Sequence, residues 1–275
     1  MKYTHIVASD LDGTLLSKGD TLSPENYAAI SEMKRRGICF VPNSGRPIAS
    51  MPRAVLDHPD IRYYIGADGG VIWDKETDTY TEIGISREEF TPMFELLRSY
   101  DSLDVLCTNG DSFTDVNKFS HEAFKRYRVS TLYAAFIDYY VHEAENYEEW
   151  ARSLDSVEMI CSFFLTDEDK NECAKKIDAL GNFVVSSSEP ENIEVFHKKA
   201  GKGNTLLRLA DMLGVPRENT IAVGDGVNDM DMIEKAGLSL AMANATDVLK
   251  SAADKTICSV HEHSAAYILK HLLFF

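Results

Sequence analysis

A chain of 275 residues, 44% hydrophobic and 26% charged, has the composition of an ordinary folded protein with room for about two domains, which excludes a disordered or fibrous chain. Its 28 Lys and Arg against 44 Asp and Glu give a formal net charge of −16, which excludes non-specific binding to nucleic-acid phosphates or anionic membranes. Five scattered cysteines without a CxxC pair (Cys39, Cys107, Cys161, Cys173, Cys258) exclude a disulfide scaffold or structural zinc site; with no secretory core around Ile6 to Ala8 and no apolar run near the roughly 18 residues of a membrane span, a cytoplasmic protein is expected.

In chain order, His5 to Ser9 reads as a buried strand delivering the polar loop Asp10-Leu11-Asp12-Gly13-Thr14. Ser23-Pro24 opens a helix with Tyr27, Ile30 and Met33 on one face, and Gly37 closes it in a left-handed cap. The strand-like Ile38 to Val41 leads into Pro42-Asn43-Ser44-Gly45-Arg46-Pro47. From about 84 to 198 the rhythm changes. A capping box at Ser86-Arg87-Glu88-Glu89 precedes Phe90, Met93, Phe94 and Leu97 at helical spacing, with strand candidates near 103–108 and 112–116. An aromatic stretch (Tyr133, Phe136, Tyr139, Tyr140, Tyr147, Trp150) is expected to pack internally. Glu158 to Thr166 then reads as a strand, Asp167 as the cap of a helix carrying Cys173, Ile177 and Leu180, and 182–186 and 193–197 as two more strands.

Beyond Lys202, Gly203-Asn204 opens a helix with Leu206, Leu209, Ala210 and Leu213 on one face. Thr220 to Val223 is a strand ending in Gly224-Asp225-Gly226-Val227-Asn228-Asp229. Leu238 to Met242 leads into Asn244, and an apolar helix lies near Tyr267 to Leu273. Strand, polar loop and helix alternate at both ends, which predicts an α/β fold. Its parallel-sheet core comprises 1–83 and 198–275, interrupted by an α+β domain at 84–197 with a mostly antiparallel sheet.

Open parallel sheets bind ligands beyond the carboxyl ends of their strands, where these loops gather Asp10, Asp12, Ser44, Asp225, Asn228 and Asp229, with Lys202 before a helix start. Carboxylates so gathered repel unless a divalent cation neutralises them, and hard oxygen donors suit Mg2+ better than zinc. A metal on carboxylates beside a hydroxyl, an ammonium and a helix N-terminus is a receptor for a phosphoryl group. Asp10, ionised at neutral pH, is then a candidate nucleophile, and Asp12 a candidate to protonate the leaving oxygen and later take a proton from water. Arg46 reads equally as a structural ion pair or a substrate contact, Asp231 as a solvated helix residue, and His261 and His263 as surface groups.

Asp10-Leu11-Asp12-Gly13-Thr14, Ser44-Gly45-Arg46, Lys202-Gly203 and Gly224 to Asp229, in that order, resemble the four motifs of the haloacid dehalogenase (HAD) superfamily. The insert between the second and third is similar to the cap of its Cof-type, class IIB sugar-phosphatase branch, as is Ala241-Met242-Ala243-Asn244-Ala245. The resemblance implies a Rossmann-like core with an inserted cap that opens and closes. It implies a phosphoric monoester hydrolase acting on a small phosphorylated metabolite, foremost a sugar phosphate, through an aspartyl-phosphate. Asp10 would be the nucleophile and Asp12 the acid and base. Ser44 and Lys202 would hold the phosphoryl oxygens, with Gly45, Arg46 and Asn228 in the substrate-binding set. Mg2+ would lie on the Asp10 carboxylate, the Asp12 backbone carbonyl and Asp225, with Asn228 and Asp229 in support. Three departures stand out: Ser44 where Thr is more usual, Asp68 in Ala67-Asp68-Gly69-Gly70 where the branch often has Asn, and His261-Glu262-His263-Ser264-Ala265 in place of Asp-Gly-Val-Ala. A phosphomutase and a non-catalytic phosphometabolite sensor are the alternative functions. No motif sets an oligomeric state.

Overall fold

The computed structural model describes residues 2–17 and 20–273. The chain forms two compact units, one from 1–81 with 201–275 and the other from 82–200.

In the first unit the elements that matter are β1 (His5–Ser9), α1 (Pro24–Arg35), β2 (Ile38–Pro42), α2 (Lys202–Leu213), β3 (Thr220–Gly224), β4 (Leu238–Ala241) and β5 (Lys255–Thr256). The strands make one sheet in the order β5-β4-β3-β1-β2, parallel throughout. β2 and β3 are buried along their whole length, and so is β1 after His5, which explains why they read as unbroken apolar runs rather than alternating ones. Each Ile, Val or Phe so buried contributes roughly 1.5–3 kcal/mol. Ser9 lies in register with Pro42 on one side and Val223 on the other, so three polar loops leave the sheet in step at one edge.

α1 has Ser23 as its N-cap, accepting the Asn26 N–H at 3.2 Å, and Gly37 follows it at φ +72°. Its buried face is Asn26, Ala29, Ile30 and Met33; Tyr27 instead lies outside, ring to ring with His58. Asn26 is buried because it satisfies backbone groups of two neighbours, donating to the Leu15 carbonyl and accepting from the Ala265 N–H of the terminal helix Ser264–His271. α2 starts at Lys202, earlier than the Gly203-Asn204 signal suggests. Asp231 supplies the cap that Gly201 lacks.

The second unit carries a six-stranded sheet in the spatial order 183–186, 192–197, 159–164, 102–108, 111–115, 142–144, antiparallel except for its last pair. Asn109-Gly110, both at positive φ, makes the two-residue hairpin between 102–108 and 111–115. The helix Arg87–Arg98 buries Phe90, Met93, Phe94 and Leu97 against this sheet. Two caps differ from expectation. Ser86 spends its hydroxyl on the Glu89 carboxylate instead of receiving a helix N–H, and Thr166, not Asp167, caps the helix Asp167–Ala179 by accepting the Asp169 N–H. The aromatic stretch is split: Tyr147 is buried, while Tyr139 is 80% exposed. No helix among the described residues is long and apolar enough to cross a membrane.

Glu158 in this unit is fully buried; its Oε1 accepts the Gly110 N–H at 2.8 Å and its Oε2 has no hydrogen-bond partner among the described residues. Burial raises its carboxyl to about 8, against the opposing Gly110 N–H and with help from Glu82 and Asp111. A folded-state value above the unfolded one means stability that is complete at low pH and lost as pH rises toward 8. Glu158→Gln is therefore expected to stabilise the protein by on the order of a few kcal/mol at about pH 8–9 and to change little near pH 4, as read by urea unfolding at both pH values.

Candidate active site

The first loop leaves β1 at Asp10, whose N–H donates to the Val223 carbonyl of β3. It turns at Gly13, at φ +82°, where a Cβ would stand 2.3 Å from Asp225 Oδ2; only glycine lets the first and fourth motifs approach so closely. Thr14 donates its hydroxyl to Asp225 Oδ1 at 3.3 Å. The second loop carries Ser44, 2% exposed, whose Oγ accepts the Arg46 N–H at 3.2 Å. The fourth loop is folded around Asp229. Its Oδ2 accepts the N–H groups of Asp225 and Gly226 at 2.9 and 3.0 Å, and Gly224 leaves room for that carboxylate.

Lys202 ties the loops together. It is 1% exposed, and its Nζ donates to Asp10 Oδ1 at 2.7 Å and to Asp229 Oδ1 at 2.6 Å. Asn43, also buried, holds its backbone by donating Nδ2 to the Lys202 carbonyl. Burial works against the ammonium, but Asp10, Asp229 and Asp68 outweigh it and push Lys202 above its ordinary range. The carboxyl of Asp10 is pushed well up by burial and by Asp229, against the pull of Lys202; Asp225 is raised to about 6 by burial and Asp229.

Oxygens of Asp10, Asp225 and Asp229 lie within 4.8 Å of one another. Three carboxyl groups share one ammonium in a largely buried place, so that full ionisation would leave two negative charges uncompensated, and all the donors are hard oxygens. That set fits a divalent cation of the Mg2+ kind.

The other expected residues stand further out. Asp12 is 55% exposed and gripped by Arg46, whose Nε and Nη2 donate to Asp12 Oδ2 and Oδ1 at 2.9 and 2.7 Å. Arg46 also pairs with Asp20 at 2.9 Å, so its guanidinium is spent on ion pairs. Gly45 lies under the Asp68 carboxyl. Asn228 is exposed, its amide oxygen beside Gly226. His261 and His263 belong to no cluster among the described residues that could hold a metal.

Two residues were missed. Asn244, at the carboxyl end of β4, donates to the Gly13 carbonyl at 2.8 Å and to Asp225 Oδ2 at 3.3 Å; its place after an apolar run was the available signal. Asp231 is not a solvated residue. Its Oδ2 accepts the N–H groups of Gly203 and Asn204 at 2.7 and 3.2 Å, and it pairs with Lys235. These N–H groups are therefore taken, which corrects the expectation that this helix N-terminus receives the phosphoryl group. Asp231→Ala is expected to cost about 1 kcal/mol of stability as a lost cap and to lower turnover by loosening Lys202, while Asp231→Asn, which keeps an acceptor, retains most of both. Urea unfolding and kcat measured side by side check this.

The sequence model of haloacid dehalogenase-like hydrolases matches residues 7–269. Phosphatase YwpJ of Bacillus subtilis is 31% identical over 98% of this chain and 99% of its own length. The 5-amino-6-(5-phospho-D-ribitylamino)uracil phosphatase YcsE of the same organism is 27% identical over 97% of this chain and 94% of its own. Among solved structures, a haloacid dehalogenase-like hydrolase from B. subtilis superposes with a TM-score of 0.79 at 28% identity, covering 98% of this chain and 99% of that one. With four motif loops meeting at one sheet edge and a family match over nearly its whole length, the chain belongs to the haloacid dehalogenase-like hydrolases.

Proposed function

We propose that this HAD-like phosphatase hydrolyses small phosphomonoesters, sugar phosphates foremost, with Mg2+ bound and Asp10 as covalent nucleophile. The observation that carries the reading is the cluster of Asp10, Asp225 and Asp229, two of which, Asp10 and Asp229, share the buried ammonium of Lys202. The relative YcsE, named for a phosphorylated ribitylamino compound, supports a small phosphorylated substrate.

Asp10 and Asp225, with the Asp12 carbonyl and Asn228, would hold the metal, while Asp229 holds Lys202 and its own loop. When bound, Mg2+ supplies positive charge that draws in and orients the phosphoryl group. The remaining work falls to the chain. Lys202 holds Asp10 Oδ1, so the other oxygen attacks phosphorus; the ester P–O bond breaks and an aspartyl-phosphate forms. Asp12 gives its proton to the leaving oxygen and then takes one from the water that attacks the aspartyl-phosphate, which releases inorganic phosphate and restores Asp10. Arg46 engages both oxygens of Asp12 and so fixes the orientation of that carboxyl. The Ser44 hydroxyl and the third N–H of Lys202 donate to the phosphoryl oxygens.

Hydrolysis of p-nitrophenyl phosphate is expected with Mg2+ and should fall at least about 100-fold after chelation. Turnover no higher than buffer would favour the sensor reading. Stoichiometric phosphate release from a single sugar phosphate separates hydrolysis from a phosphomutase.

A further inference from the structure

Asp68 is a buried carboxylate that this mechanism leaves unused. Its backbone is stitched to both phosphoryl-holding segments: the Asp68 N–H donates to the Ser44 carbonyl at 3.2 Å, and the Asp68 carbonyl accepts the N–H of Gly201, the neighbour of Lys202, at 3.0 Å. The residue is 6% exposed, and Oδ1 makes no hydrogen bond among the described residues. The carboxyl lies against Gly45, where a Cβ would stand 3.2 Å from Oδ1 and 3.3 Å from Oδ2. Burial raises the Asp68 carboxyl above its ordinary range, and the nearby Lys202 ammonium opposes that rise. Ala67, Asp68 and Gly69 all hold positive φ (50°, 49° and 90°), a run of strained backbone of the kind that persists where function fixes it.

A buried acceptor without a donor beside a phosphoryl cradle calls for a donor that arrives with the ligand. Phosphoryl oxygens offer one only when protonated; a phosphomonoester monoanion has an O–H, and so does inorganic phosphate near neutrality, whereas sulfate has none. We propose that Asp68 accepts a hydrogen bond from a protonated phosphoryl oxygen seated between Ser44 and Lys202, and so makes the site select a proton-bearing oxyanion over one of similar shape that has no proton. The inference rests on the phosphatase reading and makes Asp68 a specificity-determining residue of that same site.

The test compares inorganic phosphate and sulfate as competitive inhibitors of Mg2+-dependent p-nitrophenyl phosphate hydrolysis, in the wild type, Asp68→Asn and Asp68→Gly. Both replacements suit positive φ, and thermal unfolding confirms that they fold. The wild type is expected to bind phosphate at least about tenfold more tightly than sulfate, and both variants to narrow that ratio to within about threefold, chiefly by tightening sulfate. A ratio unchanged in the folded variants, or no preference in the wild type, overturns the assignment of Asp68 while metal-dependent turnover leaves the phosphatase reading standing. Absence of both turnover and inhibition in the wild type overturns both.

Discussion

Asp10→Asn is expected to lower kcat for p-nitrophenyl phosphate at least about 10^4-fold while the protein stays folded. An amide oxygen has neither the charge nor the basicity to displace an alkoxide from phosphorus, so no aspartyl-phosphate forms. The same amide keeps an acceptor for Lys202 Nζ at the position of Oδ1, so the tie between the first and third motifs survives. It also removes one of three crowded carboxylates. Because burial and Asp229 push the Asp10 carboxyl upward, ionised Asp10 opposes folding near neutrality, and the variant should melt no lower than the wild type. Loss of turnover together with an unchanged or higher melting temperature is the expected pair of results. Full turnover in a native fold would remove Asp10 from the nucleophile's role, and loss of both activity and structure would make Asp10 a structural residue.

The sequence made the sheet legible because β1, β2 and β3 are buried on both faces and leave continuous apolar runs, each ending in a loop too polar to be core. It made the four motif loops legible because their residue types are chemically unusual together. It was blind to partners supplied across the fold. Asp231 lies far along the chain from the helix it caps, and a carboxylate two positions past a motif looks like any solvated helix residue until Gly201 is seen to leave the helix without a side-chain cap. Tyr27 fitted the apolar period of α1, yet the buried position is Asn26, because the Leu15 carbonyl and the Ala265 N–H needed a partner more than the core needed a ring. Arg46 shows the same limit from the other side: its guanidinium meets Asp12 and Asp20 rather than an open cradle, a pairing set by where the first loop folds back. Periodicity reports burial; it carries no record of which backbone groups burial leaves unpaired.

Lys202→Met is expected to damage stability as well as catalysis. The side chain is nearly isosteric and apolar, so packing around the 1% exposed stem is kept, but Asp10 and Asp229 lose the ammonium they share at 2.7 and 2.6 Å. Breaking a buried pair from one side leaves charge uncompensated, which costs about 3–5 kcal/mol. The pH dependence has a definite sign. Lys202 is what opposes the upward push on Asp10, so its removal raises the folded-state carboxyl further above the unfolded value. Stability is then retained at low pH, where that carboxyl is protonated, and lost as pH rises, so the gap between wild type and variant should widen from about pH 5 to about pH 8. Added Mg2+ should narrow the gap, because a cation bound by the same oxygens replaces the missing positive charge. Asp10→Asn introduced beside Lys202→Met should recover part of the loss, since removing both partners relieves the charge that removing one exposes. Urea unfolding of the two single variants and the double, at both pH values and with and without Mg2+, decides the matter: a gap that ignores pH and metal alike would mean that Lys202 acts through packing, with its charge immaterial to the fold.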